Sequence, residues 1–232
     1  MSNVERIVPG DPSEDIRNRY RNPRVASAYD QERYADLQGR MNNRVAWRAL
    51  CKALSCAPKG GRLLDIPCGT GRFTPLLAMS GFQVVASDVS REMLAVARRT
   101  VGENTATRVC FLESDIFHLP YSNHTFRVAV CIRFFNLVGR CQRLEALREL
   151  ARVAEVVVVS YYHKYTLKYA GRWLRQQLGL HRGNNPRLTR RALLDEIGES
   201  GLQLCRLIRV VPLLSEEWLV VLRAQSDQTD VA

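Results

Sequence analysis

One stretch constrains this chain more than any other: residues 63–71, which read LLDIPCGTG. Its apolar start predicts a short buried strand that ends in Asp65. Gly69 and Gly71 allow a sharp turn and let a ligand approach the backbone without meeting a Cβ atom. Pro75 is tolerated in the first turn of a following helix, where unpaired N–H groups favour a carboxylate or a phosphate. We therefore expect a ligand site between this strand and this helix.

Two ligand classes compete for such a turn. A dinucleotide prefers Gly-x-Gly-x-x-Gly in a neutral loop, but Thr74 occupies the third glycine position here. Asp65 at the strand end would also repel a pyrophosphate. An acid at this point instead suits a ligand that carries an ammonium group beside its carboxylate, as an amino acid does. S-adenosylmethionine (SAM), which is methionine joined to adenosine, is such a ligand.

Two further acids follow at the ends of predicted strands. Residues 83–88 indicate a second buried strand that ends in Asp88, whose carboxylate can accept hydrogen bonds from both ribose hydroxyls of an adenosine. Ser90 then caps a helix that carries Met93 on its apolar face. A third strand leads to Asp115, which can accept a hydrogen bond from an adenine amino group. The three acids together fit the three parts of SAM.

In this order the motifs resemble those of the class I SAM-dependent methyltransferases, especially the small-molecule branch that includes quinone-biosynthesis enzymes. The resemblance covers about residues 62–222. Pro67 and Cys68 depart from it, because the family more commonly has a glycine and a variable residue there. The cofactor-binding residues that the resemblance implies are Asp65, Pro67, Cys68, Gly69, Thr70, Gly71, Asp88, Val89, Met93, Asp115, Ile116 and Cys131.

The predicted elements alternate between strand and helix, which favours a parallel sheet with helices on both faces. The last two strands, 203–210 and 218–222, would add an antiparallel hairpin at the sheet edge, as in the family. The predicted fold is thus α/β, a doubly wound seven-stranded sheet with N-terminal helices. The other predicted strands are 62–66, 83–88, 107–113, 126–132 and 154–161, and the predicted helices are 24–38, 42–55, 73–80, 90–101, 141–152 and 189–198.

We divide the chain into an N-terminal arm and helices (1–61), a Rossmann-like core (62–224) and a polar tail (225–232). In the family, such N-terminal helices cover the cofactor and help to form the substrate cavity. The N-terminus lacks an apolar leader, and no run approaches the ~20 apolar residues needed to cross a bilayer. The seven cysteines show no metal-type spacing, so we expect no metal site and a reducing compartment. We therefore expect a cytoplasmic protein, with the inner face of a membrane as an alternative location.

The formal net charge is +11, and much of it comes from a basic insert at about 162–188. From Lys164 to Arg191 there are eight Lys or Arg residues and no Asp or Glu. Apolar residues recur at helical spacing over 166–178, which predicts an amphipathic basic helix. It would be a lid over an anionic substrate, a surface that contacts anionic lipid headgroups, or a packed helix with a solvated basic face.

Acceptor-side residues are expected after the fourth and fifth strands, because ligands lie at the carboxyl ends of the strands in open α/β sheets. His163 is the first candidate for a general base and His118 the second. Arg133 would either bind an acidic group of the substrate or pair with a neighbouring carboxylate. A base is not strictly required, since SAM carries a good leaving group. The candidate catalytic residues are His163 and Arg133, and the candidate substrate residues are Tyr29, Arg133, Asn136, Tyr162 and Arg172.

The favoured function is methyl transfer from SAM to a small or amphipathic, acidic acceptor, with an envelope lipid or lipopolysaccharide-related compound as one example. An RNA methyltransferase is the first alternative, because the chain is basic. Nucleic acid is nevertheless disfavoured: residues 132–135 read IRFF in place of the Asn/Asp-Pro-Pro-aromatic tetrapeptide of amine-directed enzymes, and the only Pro-Cys pair lies in the cofactor loop. A non-catalytic SAM-binding protein is the second alternative.

Overall fold

The computed structural model describes residues 37–166, 187–211 and 215–224, together with Tyr169, Trp173 and Gln177. The predicted arm, the polar tail, nearly all of the first predicted helix and most of the basic insert lie outside the described residues. Tyr29 and Arg172 are among them, so their predicted contacts with substrate stay predictions.

The described elements alternate between helix and strand over most of the chain. In order they are α1 (Leu37–Leu54), β1 (Arg62–Asp65), α2 (Thr74–Met79), β2 (Gln83–Asp88), α3 (Arg91–Thr100), α4 (Glu103–Ala106), β3 (Val109–Glu113), β4 (Phe126–Cys131), α5 (Arg140–Val153), β5 (Ala154–Tyr162), α6 (Arg190–Glu199), β6 (Leu202–Arg209) and β7 (Glu217–Ala224).

The seven strands form one sheet in the order β3-β2-β1-β4-β5-β7-β6. Strands β1 to β5 pair in parallel, while β7 runs antiparallel between β5 and β6. The predicted doubly wound, mostly parallel sheet with an antiparallel edge hairpin is confirmed. The strand order reverses between β1 and β4, and the carboxyl ends of strands at such a point are where ligands bind in open α/β sheets.

Helices cover both faces of the sheet, which explains why the central strands are continuously apolar. On one face α1 and α2 contribute Leu50, Ala53 and Leu77 to a buried cluster with β1 and β4. On the other face α5 and α6 contribute Leu147 and Leu193 to the larger cluster. The core therefore holds β1 rigidly from both sides and fixes where its last residue, Asp65, lies.

Element boundaries differ from the predictions mainly around loops. Helix α1 begins at Leu37 instead of residue 42. The four-residue helix α4 was not predicted, and β3 begins after it at Val109 instead of residue 107. Thr105 donates its hydroxyl hydrogen to the carbonyl of Gly102, which closes that short turn. Among the described residues, no helix is both long enough and apolar enough to cross a membrane.

Candidate active site

The carboxylate of Asp65 lies at the end of β1 and is almost wholly buried, with 4% of the residue exposed. The hydroxyl of Thr74, at the start of α2, donates a hydrogen bond of 2.7 Å to its Oδ2. Burial raises the pKa of Asp65 to about 7; the Thr74 hydrogen bond opposes that rise and the nearby Asp88 charge adds to it. A cationic ligand group placed against Asp65 would stabilise its ionised form.

Asp88 joins the end of β2 to the glycine-rich turn. Its Oδ2 accepts from the backbone N–H of Gly69 at 2.9 Å, and its Oδ1 accepts from the N–H of Ser90 at 3.0 Å. Burial raises the pKa of Asp88 to about 6, against the lowering effect of these backbone hydrogen bonds. Asp88 thus shapes the turn as well as facing the cleft above it, a role that the sequence pattern did not predict.

The two glycines of the turn serve different purposes. Both have positive φ, +56° at Gly69 and +76° at Gly71. A Cβ on Gly71 would lie 2.9 Å from Cα and Cβ of Ala97, so this glycine lets α3 pack directly on the turn. A Cβ on Gly69 would meet nothing within 4 Å, because open space lies above it. A ligand can therefore reach the backbone at Gly69.

A single cleft opens at the carboxyl ends of β1 to β4, and most of the predicted cofactor residues line it. These are Asp65, Pro67, Cys68, Gly69, Thr70, Asp88, Val89, Met93, Asp115 and Ile116. The structure brings the acids from three adjacent strand ends into one cleft, as expected. Gly71 and Cys131 do not line the cleft: Gly71 faces α3, and Cys131 is fully buried in the core.

Three phenylalanines that were not predicted also line the cleft: Phe73, Phe117 and Phe134. The rings of Phe117 and Phe134 lie 6.0 Å apart at 54° to one another. The other lining residues outside the predicted sets are Arg72, Ser114, Ile132, Leu137 and Val138. The sequence did contain a signal for one of the three rings, since Phe134 follows shortly after the fourth predicted strand. We call the three acids the acidic half of the lining and the three phenylalanines its aromatic half.

Arg133 also lines the cleft. It has a left-handed backbone, φ 63°, and its N–H donates a hydrogen bond of 2.6 Å to the Ser160 hydroxyl. Its guanidinium donates to both carboxylate oxygens of Glu217 at 3.4 and 3.3 Å and lies 5.9 Å from the centre of the Phe73 ring. Of the two alternatives for Arg133, the structure shows pairing with a neighbouring carboxylate, while its position in the cleft wall keeps it within reach of a substrate.

Comparison with known proteins places this geometry in a family. A family profile described as "Methyltransferase domain" matches residues 63–155, which run from β1 to the start of β5 and include all three acids. This segment is a methyltransferase domain. The resemblance expected from the motifs is thereby confirmed.

Curated relatives match the methyltransferase domain over about half of their own length. The chain is 36% identical to demethylmenaquinone methyltransferase of Clavibacter sepedonicus over 129 residues, which is 56% of this chain and 50% of that protein. It is 39% identical to malonyl-[acyl-carrier protein] O-methyltransferase of Pectobacterium atrosepticum over 132 residues, 56% of this chain and 46% of that protein. The chain therefore spans about half the length of these relatives.

The fold also matches solved structures. Magnesium protoporphyrin IX methyltransferase from Synechocystis PCC 6803, solved with bound S-adenosylhomocysteine (SAH), superposes with a TM-score of 0.72 at 17% identity. That alignment covers 91% of this chain and 99% of the other. At such low identity the match concerns the fold, and its coverage extends the likeness beyond the methyltransferase domain.

His163 lies beyond the methyltransferase domain and does not line its cleft. Its ring stacks on Trp218 with centroids 4.3 Å apart, and its Nδ1 accepts from the N–H of Tyr165 at 3.1 Å. Burial lowers the pKa of His163. A general base must lie within hydrogen-bonding reach of the proton that it takes. The described geometry gives His163 a packing role beside the sheet and no contact with the cleft.

The remaining predicted acceptor residues do not line the cleft. Asn136 is buried, and its Oδ1 has no hydrogen-bond partner among the described residues. Tyr162 is half-buried at the end of β5, and His118 is exposed next to the loop that carries Asp115. In the part of the chain that the structure describes, no cluster of His, Cys, Asp or Glu could hold a metal ion.

Proposed function

We propose that this chain transfers the methyl group of SAM to a small amphipathic acceptor that carries an acidic group. One observation carries the proposal: Asp65, Asp88 and Asp115 line the same cleft as Phe73, Phe117 and Phe134. The acidic half suits the three parts of SAM, and the aromatic half suits an apolar acceptor. The methyltransferase domain supports the reaction class.

The lining residues fit SAM better than a dinucleotide. Ionised Asp65 would bind the ammonium group, and the accessible backbone at Gly69 would accept the methionine part. Asp88 would accept hydrogen bonds from the ribose hydroxyls, and Asp115 from the adenine amino group. Val89, Met93 and Ile116 would pack on the adenine ring. Phosphates would instead meet three carboxylates, which disfavours them.

When bound, SAM would supply an electrophilic methyl group on a sulfonium, with a neutral thioether as leaving group. The residues of the chain then need to hold the acceptor in line with that methyl group, and this alignment supplies much of the rate. Phe73, Phe117 and Phe134 would pack against the apolar part of the acceptor and keep water out. No described residue of the cleft wall is a histidine, so positioning is the main contribution that the proposal assigns to the protein.

Arg133 supports an acceptor with an acidic group. Its contacts with Glu217, at 3.3 and 3.4 Å, are longer than the 2.7–2.9 Å typical of strong ion pairs. An incoming carboxylate or phosphate could therefore compete for the guanidinium. Two relatives are named for demethylmenaquinone and malonyl-[acyl-carrier protein], so acceptors other than nucleic acid occur among the matches. An envelope lipid or lipopolysaccharide-related compound is one acceptor of the proposed class.

Contact with an anionic membrane stays a prediction, because the basic insert lies largely outside the described residues. Trp173 within it is half-exposed, which suits an interfacial position. Replacing Lys168, Arg172 and Arg175 by glutamine should weaken sedimentation with anionic vesicles or raise the acceptor KM. If the variant keeps wild-type values of both, the basic residues form only a solvated face.

The experiment that tests the proposed function is incubation with methyl-labelled SAM and a cell extract separated into lipid, small-molecule, protein and RNA fractions. We expect label in the lipid or small-molecule fraction, and its loss in Asp88→Ala. Label in RNA would instead support the RNA methyltransferase alternative. Tight SAM binding without label in any fraction would support the non-catalytic alternative.

A further inference from the structure

The loop from β3 to β4 contains Asp115, the residue that the proposed function assigns to adenine. The backbone of this loop is held by hydrogen bonds to one ion pair on α5. The guanidinium of Arg152 donates to the carbonyl oxygens of Tyr121 at 2.6 Å and Leu119 at 2.9 Å, and to Oδ1 of Asn123 at 3.2 Å. Glu149 Oε2 accepts from the N–H of Leu119 at 3.0 Å. The pair therefore binds both the N–H and the carbonyl of the same loop residue.

The pair is itself closely organised. Nε and Nη2 of Arg152 donate to the two carboxylate oxygens of Glu149 at 2.9 and 2.8 Å. Arginine has five N–H donors, and these five contacts use one at Nε and two at each terminal nitrogen. The Arg152 guanidinium also holds the pKa of Glu149 below its usual range. Lysine, with three donors and no fork, cannot reproduce this set of contacts.

The loop residues that Arg152 and Glu149 bind lie next to residues that face the cleft. Asp115 accepts from the N–H of Phe117 through its Oδ1 at 3.1 Å, and its carbonyl accepts from the N–H of His118 at 3.1 Å. These two hydrogen bonds form a tight turn that leads directly into Leu119. Leu119 is buried in the main core, with 5% exposed. A shift of the Leu119 backbone would therefore be transmitted to Asp115.

We propose that Arg152 and Glu149 are positioning residues that set the affinity and base selectivity of the adenine subsite, although neither lines the cleft. The inference rests on the proposed function. The pair fixes the backbone at Leu119, directly after the turn of Asp115, whose carboxylate the proposed function assigns to the adenine amino group. It is also partly solvent-accessible, with 33% and 22% of the two side chains exposed, so its removal should leave the core intact.

The test compares two ligands that differ at one group: S-adenosylhomocysteine (SAH) and S-inosylhomocysteine, which carries a carbonyl in place of the adenine amino group. Calorimetry should show that the wild type prefers SAH, because the carbonyl faces the Asp115 carboxylate unfavourably. In Arg152→Met the affinity for SAH should fall about tenfold, and the ratio of the affinities for SAH and S-inosylhomocysteine should decrease. Arg152→Lys should not restore either. Arg148→Met, at an exposed position of the same helix, should change neither.

Different outcomes would contradict the proposed function and the positioning role of Arg152 and Glu149. A wild type that binds no SAH would overturn the proposed function and this inference with it. A folded Arg152→Met variant that keeps the wild-type preference, or loses affinity for both ligands equally, would overturn the positioning role alone. If Arg152→Met does not fold, Glu149→Gln gives the same test, because it removes half of the ion pair and should narrow the preference in the same direction.

Discussion

At the scale of single residues, the cleft contains two buried carboxylates, Asp65 and Asp88, that have no cationic partner among the described residues. Asp65 and Asp88 are buried, hydrogen-bonded by Thr74, Gly69 and Ser90, and have pKa values raised to about 7 and about 6. Their ionised forms are therefore costly in the folded chain. A ligand with an ammonium group and two hydroxyls would relieve that cost, which links proton loss to ligand binding.

This linkage predicts how stability depends on pH without ligand. The folded-state pKa of Asp65 lies above its ordinary value of 3.8, so the folded chain holds more protons and loses stability as pH rises from about 4 to about 7. Binding of the SAM ammonium group favours the ionised form, so affinity should rise over pH 5.5 to 7.5 and binding at pH 6 should release protons. Calorimetry in buffers of different ionisation enthalpy measures that release. Affinity that does not vary with pH, or varies equally in Asp65→Asn, would contradict the assignment.

The two glycines of the turn give a matched pair of substitutions. An alanine at either position costs about 1–2 kcal/mol because of the positive φ. Gly71→Ala should lose more stability in urea unfolding, because its methyl group meets the backbone of Ala97. Gly69→Ala should lose SAM affinity instead, because its methyl group enters the cleft. The reverse pattern would mean that the cleft does not hold the ligand over Gly69.

At the scale of elements, α5 contacts two of the segments that form the cleft. Near its start, Arg143 donates to both carboxylate oxygens of Glu196 on α6 at 2.8 and 2.9 Å and to the carbonyl of Val138 in the cleft wall at 2.9 Å. Near its end, Arg152 holds the loop of Asp115. One helix thus holds backbone both at Val138 and in the loop of Asp115.

The buried ion pair between Arg143 and Glu196 should contribute far more to the unfolding free energy than the exposed pair between Arg140 and Glu199. Glu196 is fully buried and also accepts from the hydroxyl of Tyr161, whereas Arg140 and Glu199 pair across the same two helices in solvent. Removing one partner of a buried pair costs about 3–5 kcal/mol, so Arg143→Met should lower the unfolding free energy by that order. Glu199→Gln should change it little. Equal effects in chemical denaturation would contradict this difference.

The sequence predicted the elements whose signals lie within a few neighbouring residues. The strands, the helix caps and the acids at strand ends depend on neighbours within a few residues, so the sheet and the acidic half of the cleft were predicted. Glu217 reaches Arg133 from 84 residues away, and Arg152 reaches Leu119 from 33 away. No local pattern contains such contacts. The position of His163 shows the same limit, since stacking on Trp218 decides where its ring lies.

At the scale of the whole molecule, the strand order brings separate parts of the chain to one edge of the sheet. The reversal between β1 and β4 opens a crevice there, and the loops after β1, β2, β3 and β4 all line it. The confirmed fold and the methyltransferase domain account for the acidic half of this crevice. The aromatic half and Arg133 carry the proposal about its acceptor.

The central claim is that carboxylates at three adjacent strand ends bind one sulfonium nucleoside. Calorimetric titration of the full chain with SAM, and separately with NAD under the same conditions, tests it most directly. The account predicts saturable 1:1 binding of SAM and no detectable heat of binding with NAD. Binding of NAD without binding of SAM would contradict it.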